Sequence, residues 1–227
     1  MTNQEILIFK HLSQFVSDHK KAVIEKVLDQ RTRHVTVVLE DIFQSQNASA
    51  VIRTSECMGL QDVHIVENLS KYHLNTRVIK GADKWMNLWR YKDESANNTE
   101  RCFHALRAQG YKILVTDPAD DGVSIHDIEV NATKLAIVFG NELRGTSTYA
   151  IQHADYKVKI PMYGFTESLN ISVSAAICLN SILTRLHQSS ISFQLSESEK
   201  ENIRLAWYRK IVRRVDVIER EFLRTIQ

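Results

Sequence analysis

Five short apolar runs, at 35–39, 63–66, 112–116, 135–139 and 156–160, punctuate the middle of the chain, each four or five residues long. Runs of this length suit strands buried on both faces of a sheet, where no polar alternation is needed. Helical stretches lie between them, at about 48–58, 99–109 and 146–153, and another follows at 170–187. Strands alternating with helices specify an α/β domain with a mostly parallel sheet and helices on both faces. Only two prolines and seven glycines occur among 227 residues, so the helices are little interrupted.

The flanks read differently. Residues 4–30 carry Ile6, Leu7, Phe9, Leu12, Phe15, Val16, Val23, Ile24, Val27 and Leu28 at three- and four-residue spacing, which predicts one helical arm. Residues 195–226 read as helix again, with Ser196-Glu197-Ser198-Glu199 as its start and acids in the first turn. The expected organisation is a helical arm at 1–33, an α/β core at 34–189 and a helical basic tail at 193–227. Hydrophobic residues at 44% and charged residues at 25% exclude wholesale disorder. No apolar stretch approaches the 18 residues of a membrane span and no secretory leader opens the chain, so a cytoplasmic protein without a membrane partner is expected. Cys57, Cys102 and Cys178 form no C-x-x-C pair, so buried free thiols are expected, with no disulfide framework and no metal site.

A net charge of +2 says little, but its distribution says more. Segment 71–92 holds six cations against one acid and 185–227 nine against six, flanking a middle segment, 93–184, with seven against eleven. Within the tail, 203–215 holds Arg204, Arg209, Lys210, Arg213 and Arg214 with no acid. Two basic zones around an acidic middle suit a polyanion-binding enzyme, although solvated helix faces look the same.

In open parallel sheets, ligands bind at loops leaving the carboxyl ends of strands. After 35–39 comes a polar loop, 40–47, then a helix opening with Ala48-Ser49-Ala50. Asn47 fits its N-cap. Arg53, on an otherwise small and apolar helix, reads equally as an ion-pair partner or as a binder of carboxylate or phosphate. After 135–139 comes Gly140-Asn141-Glu142-Leu143-Arg144-Gly145, half a P-loop, but Thr146 stands where the phosphate-binding lysine is needed. That excludes an ordinary NTPase, and the absence of G-x-G-x-x-G after any strand argues against a dinucleotide fold. After 156–160 comes a ten-residue loop, 161–170, leading into a helix start dense in small and hydroxyl residues, where Ser168 or Asn170 suits a cap.

Together these three segments resemble the SpoU (TrmH) family of ribose 2′-O-methyltransferases. Asn47, Ala50, Arg53 and Thr54 match its first motif, N-x-x-A-x-x-R-T. Residues 139–145 match the second, F-G-N-E-x-x-G, and the segment from Ile160 with Ser168, Leu169, Asn170 and Ser172 matches the third, with Ser174 where members often carry Ala. Further likeness at 27–31, 38–41, 80–85 and 205–214 is to the subgroup that modifies guanosine 18 of the tRNA D-loop.

The resemblance implies a deep trefoil knot near the carboxyl end and a homodimer paired through the knot region, with 172–182 as contact helix. It implies S-adenosyl-L-methionine held by Thr116, Gly140, Ile160, Met162, Ser168 and Leu169. It implies Arg53 as catalytic residue, with Asn47, Glu142, Ser168 and Asn170 orienting ribose and loops. The substrate would be tRNA, contacted through Lys80, Lys84, Arg209, Arg213 and Arg214. Ribosomal RNA or another tRNA position is the competing target, and an inactive RNA-binding protein on the same scaffold a third reading. Trp85, Trp89, Tyr91 and Trp207 are candidates for base stacking, with packing the commoner role.

Overall fold

The structure is a computed structural model that describes residues 1–117 and 121–226. It divides into two compact units, Thr32–Phe193 and a helical unit made of Met1–Arg31 with Gln194–Gln227.

Thr32–Phe193 is built on seven strands: β1 (Val35–Glu40), β2 (Asp62–Val66), β3 (Asn87–Tyr91), β4 (Tyr111–Thr116), β5 (Val123–Ser124), β6 (Lys134–Phe139) and β7 (Tyr156–Lys159). They form one sheet in the order β3-β2-β1-β6-β4-β7-β5, and every pairing is parallel. The helices are α3 (Ser45–Cys57), α4 (Thr76–Ile79), α5 (Asn98–Ala108), α6 (Thr148–Gln152) and α7 (Ile171–Gln188). β1 is buried throughout because alternate residues enter two cores. Val35, Val37 and Leu39 pack with Val51 and Ile52 of α3 and Leu179 and Ile182 of α7. Val38 faces the other way, onto the core of Phe103 and Leu106 from α5 and Ala150 from α6.

From β1 the chain runs outward through β2 and β3, then returns to the far side of β1 for β4, with β6 between them. This reversal puts a switch point between β1 and β6, and a crevice opens beyond the carboxyl ends of strands at such a point.

Two strands carry no apolar run. β3 is an edge strand with Trp89 and Arg90 exposed, held in register from Asp62↔Asn87 to Val66↔Tyr91. Asp62 Oδ1 accepts hydrogen bonds from Asn87 Nδ2 at 2.8 Å and Trp89 Nε1 at 3.1 Å. β5 is only two residues long and forms the opposite edge.

The helical unit contains α1 (Asn3–Leu12), α2 (Asp18–Leu28), α8 (Glu197–Ile211) and α9 (Val215–Thr225). The continuous helix expected over 4–30 is broken: a tight helical turn spans Ser13–Phe15, and Ser17 adopts extended backbone and caps α2. The tail is broken likewise, with Val212 extended and Arg214 at φ 55°. Ser196 and Glu199 form a capping box at the start of α8, satisfying two of its free amide donors. Trp207 is buried, with the Arg31 guanidinium 5.4 Å from its ring centroid, so it packs rather than stacks on a base. No helix among the described residues is long and apolar enough to cross a membrane.

Candidate active site

Three loops leave the sheet around the switch point, after β1, β6 and β7. They enclose a cavity of about 500 Å³ lined by Asn47, Thr116, Gly140, Glu142, Ile160, Met162, Ser168, Leu169 and Asn170, among others. That size suits a small-molecule site.

The loops hold one another through side chains. Glu142 Oε2 accepts the Phe43 amide at 2.9 Å, and Oε1 accepts the Gln44 amide at 3.2 Å and Asn47 Nδ2 at 2.9 Å. Asn47 Oδ1 in turn accepts Asn170 Nδ2 at 3.2 Å. Asn170 Oδ1 accepts the amide and hydroxyl of Ser172 at 2.9 and 2.6 Å, which caps α7. One line of hydrogen bonds, Glu142 to Asn47 to Asn170, therefore joins residues 95 and 123 positions apart. Asn47 is not the N-cap of α3, which starts two residues earlier with Gln44 at the cap position. The Glu142 carboxylate receives the amides just before the helix, where negative charge also suits the helix dipole.

Gly140 and Gly145 close the β6 loop. The backbones of Asn141 and Gly145 exchange two hydrogen bonds of 2.9 Å. A Cβ at position 140 would lie 2.3 Å from the Thr146 nitrogen and 2.4 Å from the Gly145 carbonyl carbon, so only glycine fits. Asn141 Nδ2 donates to the Asp41 carbonyl at 2.7 Å. Asp41, at φ 52°, also receives the amides of Asn68, Leu69 and Ser70 on Oδ1 at 2.7 to 3.1 Å. Next to it, buried Glu40 accepts Thr99 Oγ1 at 2.5 Å, Ser147 Oγ at 2.7 Å and the Ser147 amide at 2.8 Å. Both acids lie in the 38–41 segment that resembles the guanosine-18 subgroup, but neither reads as a site residue there, because their partners lie on loops far away in the chain.

Residues 34–180 match the SpoU rRNA Methylase family. The chain belongs to this family. Among its relatives, the tRNA (guanosine(18)-2'-O)-methyltransferase of Borreliella burgdorferi is 49% identical over 208 residues, covering 92% of this chain and 93% of that protein. The enzyme of the same name from Thermus thermophilus is 32% identical over 164 residues, 72% of this chain and 81% of its own. Among solved structures, the A. aeolicus TrmH/SpoU tRNA modifying enzyme superposes with a TM-score of 0.75 at 26% identity, covering 86% of this chain and 98% of that one.

For a SpoU member, the cavity gathers Thr116, Gly140, Ile160, Met162, Ser168 and Leu169 together with Asn47, Glu142 and Asn170. Arg53 is not among them. It lies exposed on the outward side of α3, with Ala50 and Cys57 one turn to either side. Among the described residues its side chain has no hydrogen-bond or ion-pair partner. Cys57 is exposed, contrary to expectation, while Cys102 and Cys178 are buried with thiol pKa values pushed up by burial, that of Cys178 to about 12.

The basic positions divide. Lys80, Lys84, Arg213 and Arg214 are exposed. Arg209 is engaged: its Nε and Nη2 donate to both oxygens of Glu219 at 2.8 and 3.2 Å. Arg204 is paired in the same bidentate way with Glu25. Trp89 is 51% exposed, but its indole N–H is held by Asp62. Among the described residues no three His, Cys, Asp or Glu side chains cluster to hold a metal.

Proposed function

We propose that this chain is an S-adenosyl-L-methionine-dependent tRNA 2′-O-methyltransferase whose target is the ribose of guanosine 18 in the D-loop. The observation that carries the reading is the Glu142–Asn47–Asn170 line, which ties all three motif loops around one cavity. The relatives named for guanosine 18, one at 49% identity over nearly the whole chain, set the target.

The cavity fits the cofactor chemically. Val158, Ile160, Met162 and Leu169 offer apolar walls for a purine, and Glu142 and Glu167 place carboxylates near a cationic ligand. Thr116 and Ser168 add hydroxyls, and the Gly140 turn brings backbone groups to the cavity wall. When bound, adenosylmethionine supplies an electrophilic methyl group.

The protein's own task is to hold the ribose hydroxyl still. Asn47 and Asn170 present amide groups at the cavity and are locked by each other and by Glu142. The Glu142 carboxylate accepts three N–H donors from the loop before α3 and from Asn47, which suits it to orienting that loop. For Arg53 we favour the role of an electrostatic group over that of proton acceptor, because guanidinium groups are very weak acids. Six residues along α3 from Asn47 is an axial rise of about 9 Å. Arg53 lies outside the cavity wall, and in this reading it grips the RNA phosphate beside the reacting ribose and stabilises charge growing on the ribose oxygen. The proton leaves to water, because residues 162–170 are exposed.

We further propose the trefoil knot and a homodimer. β7 lies beyond β4, yet α7, which follows it, packs against α3 over the β1 side; a chain crossing back in this way supports the knot. Met58, Val173, Ala176 and Ile177 line a second, more apolar groove along α7 that suits a second copy. The setting is cytoplasmic, where tRNA is available. The test is a ribose-methylation map of tRNA and ribosomal RNA from a deletion strain: loss at guanosine 18 alone is expected, and an intact guanosine 18 signal rejects the target.

A further inference from the structure

The loops around the cavity leave large apolar side chains in water: Tyr163 and Phe165 after β7, and Phe43 and Leu143 on the loops after β1 and β6. Phe43 is 69% exposed and Leu143 is 86% exposed. Neither belongs to a floppy end. Phe43 stands between buried Ile42 and the cavity residue Gln44, and its amide is fixed on Glu142 Oε2 at 2.9 Å. The Leu143 amide is fixed on Asn141 Oδ1 at 2.9 Å, and Asn141 Nδ2 holds the Asp41 carbonyl at 2.7 Å. The two loops are therefore cross-braced by side chains while their apolar tips remain in water. Beside Leu143, Arg144 is exposed, and among the described residues its side chain has no hydrogen-bond or ion-pair partner.

An exposed ring whose backbone is braced beside a cavity is placed to meet a ligand, because it forgoes burial within the protein itself. The ligand chemistry is set by its neighbours: a flat apolar face from Phe43, an aliphatic face from Leu143, and a cation alongside. A nucleobase attached to a phosphodiester offers the complementary set, a π-face and a charge. A second protein copy is the other occupant such a patch could take, since aromatic and arginine side chains are common at protein interfaces, and the test below separates the two.

We propose that Phe43 and Leu143 clamp the base of the nucleotide whose ribose is methylated, with Arg144 on its phosphate. This rests on the RNA methyltransferase reading above. The clamp recognises the base by stacking, so it holds the unpaired target nucleotide in place without demanding one hydrogen-bonding pattern.

The test uses the full chain, a tRNA transcript and methyl-labelled adenosylmethionine. Phe43→Ala should raise KM for the transcript about tenfold or more, the scale of one lost base–aromatic stack, with kcat nearly unchanged. Phe43→Trp should restore KM, and adenosylmethionine affinity by calorimetry should not move. On a transcript with an abasic ribose at the reacting position, the Phe43→Ala effect should vanish, because the base it stacks on is gone. An equal fold-change on intact and abasic transcripts overturns the clamp, as does an unchanged KM on the intact one. A change in sedimentation of Phe43→Ala also overturns it, in favour of a contact between copies. Wild-type protein inactive on every RNA would instead overturn the methyltransferase reading, so the two failures are distinct.

Discussion

Replacing Glu142 probes the joint between the motif loops directly. Its two oxygens serve three donors: the Phe43 amide at 2.9 Å, the Gln44 amide at 3.2 Å and Asn47 Nδ2 at 2.9 Å. Glu142→Gln keeps the volume but offers one oxygen. Whichever way the new amide turns, its NH₂ meets an N–H that the carboxylate had accepted. Hydrogen bonds to a charged group are worth about 1.5–3 kcal/mol, and solvent at this partly exposed rim softens the loss to about 2 kcal/mol. Expressed wholly as misplacement of Asn47, that is about thirtyfold in kcat/KM. Glu142→Ala strands all three donors and should lose more, with a lower urea midpoint as well. The assay is steady-state methyl transfer to a tRNA transcript, run beside calorimetric cofactor titration and urea unfolding. If Glu142→Gln turns over within twofold of the wild type, the carboxylate is not the brace described here.

Three further outcomes follow from the geometry. His64 is buried beside Tyr91, and burial lowers its pKa from 6.5 to about 4. Because the folded value is the lower one, the stability this neutral ring contributes is complete above pH 6.5 and is lost as pH falls through about 4, up to about 3 kcal/mol; His64→Phe should flatten that part of the acid-unfolding curve, and an unchanged curve refutes it. Gly140→Ala forces a Cβ to within 2.3 Å of the Thr146 nitrogen, so the loop must open. Overpacking of that kind costs about 1–3 kcal/mol, and adenosylmethionine affinity should fall at least about tenfold by calorimetry; wild-type affinity would show the turn is not part of that site. Arg213→Gln with Arg214→Gln should reduce the salt slope of tRNA binding by about one for each phosphate left unneutralised, and no change in slope removes the tail from the RNA surface.

The legible parts of the fold are those whose signal is local. β1 and β6 announce themselves because both of their faces are buried, so their sequences are mostly apolar, with Thr36 and Glu40 the polar residues of β1 and Lys134 that of β6. β3 was hidden by the opposite circumstance: at the edge, Trp89 and Arg90 face solvent and the run breaks. The arm misled because Phe15 and Val16 continue the helical spacing through the turn where Ser17 restarts the chain. Family motifs picked out the cavity residues, but local chemistry misjudged Asn47. It looked like a cap, yet the acceptor for the amides before α3 comes from Glu142, almost a hundred residues later. Arg209 misled in the same way, since Glu219 lies beyond a bend that no spacing rule announces.

These misreadings share a cause that also explains how the site works. At a parallel-sheet switch point the loops come from strands far apart in sequence, so each polar side chain finds its partner on another loop. Asp41 is the clearest case. Its left-handed backbone turns the chain out of β1 so that its carbonyl meets Asn141 on one side and its carboxylate collects the 68–70 amides on the other. A reaction that needs a hydroxyl aligned with a methyl group gains from stiffness of this sort, because a small misplacement of the reacting atoms is costly in rate. Glu142, Asn47 and Asn170 satisfy one another before any substrate arrives, so the alignment does not have to be assembled at each turnover. Arg53, exposed on α3 with no partner of its own among the described residues, is the complementary case: in the proposed reaction its counter-charge is a phosphate of the RNA.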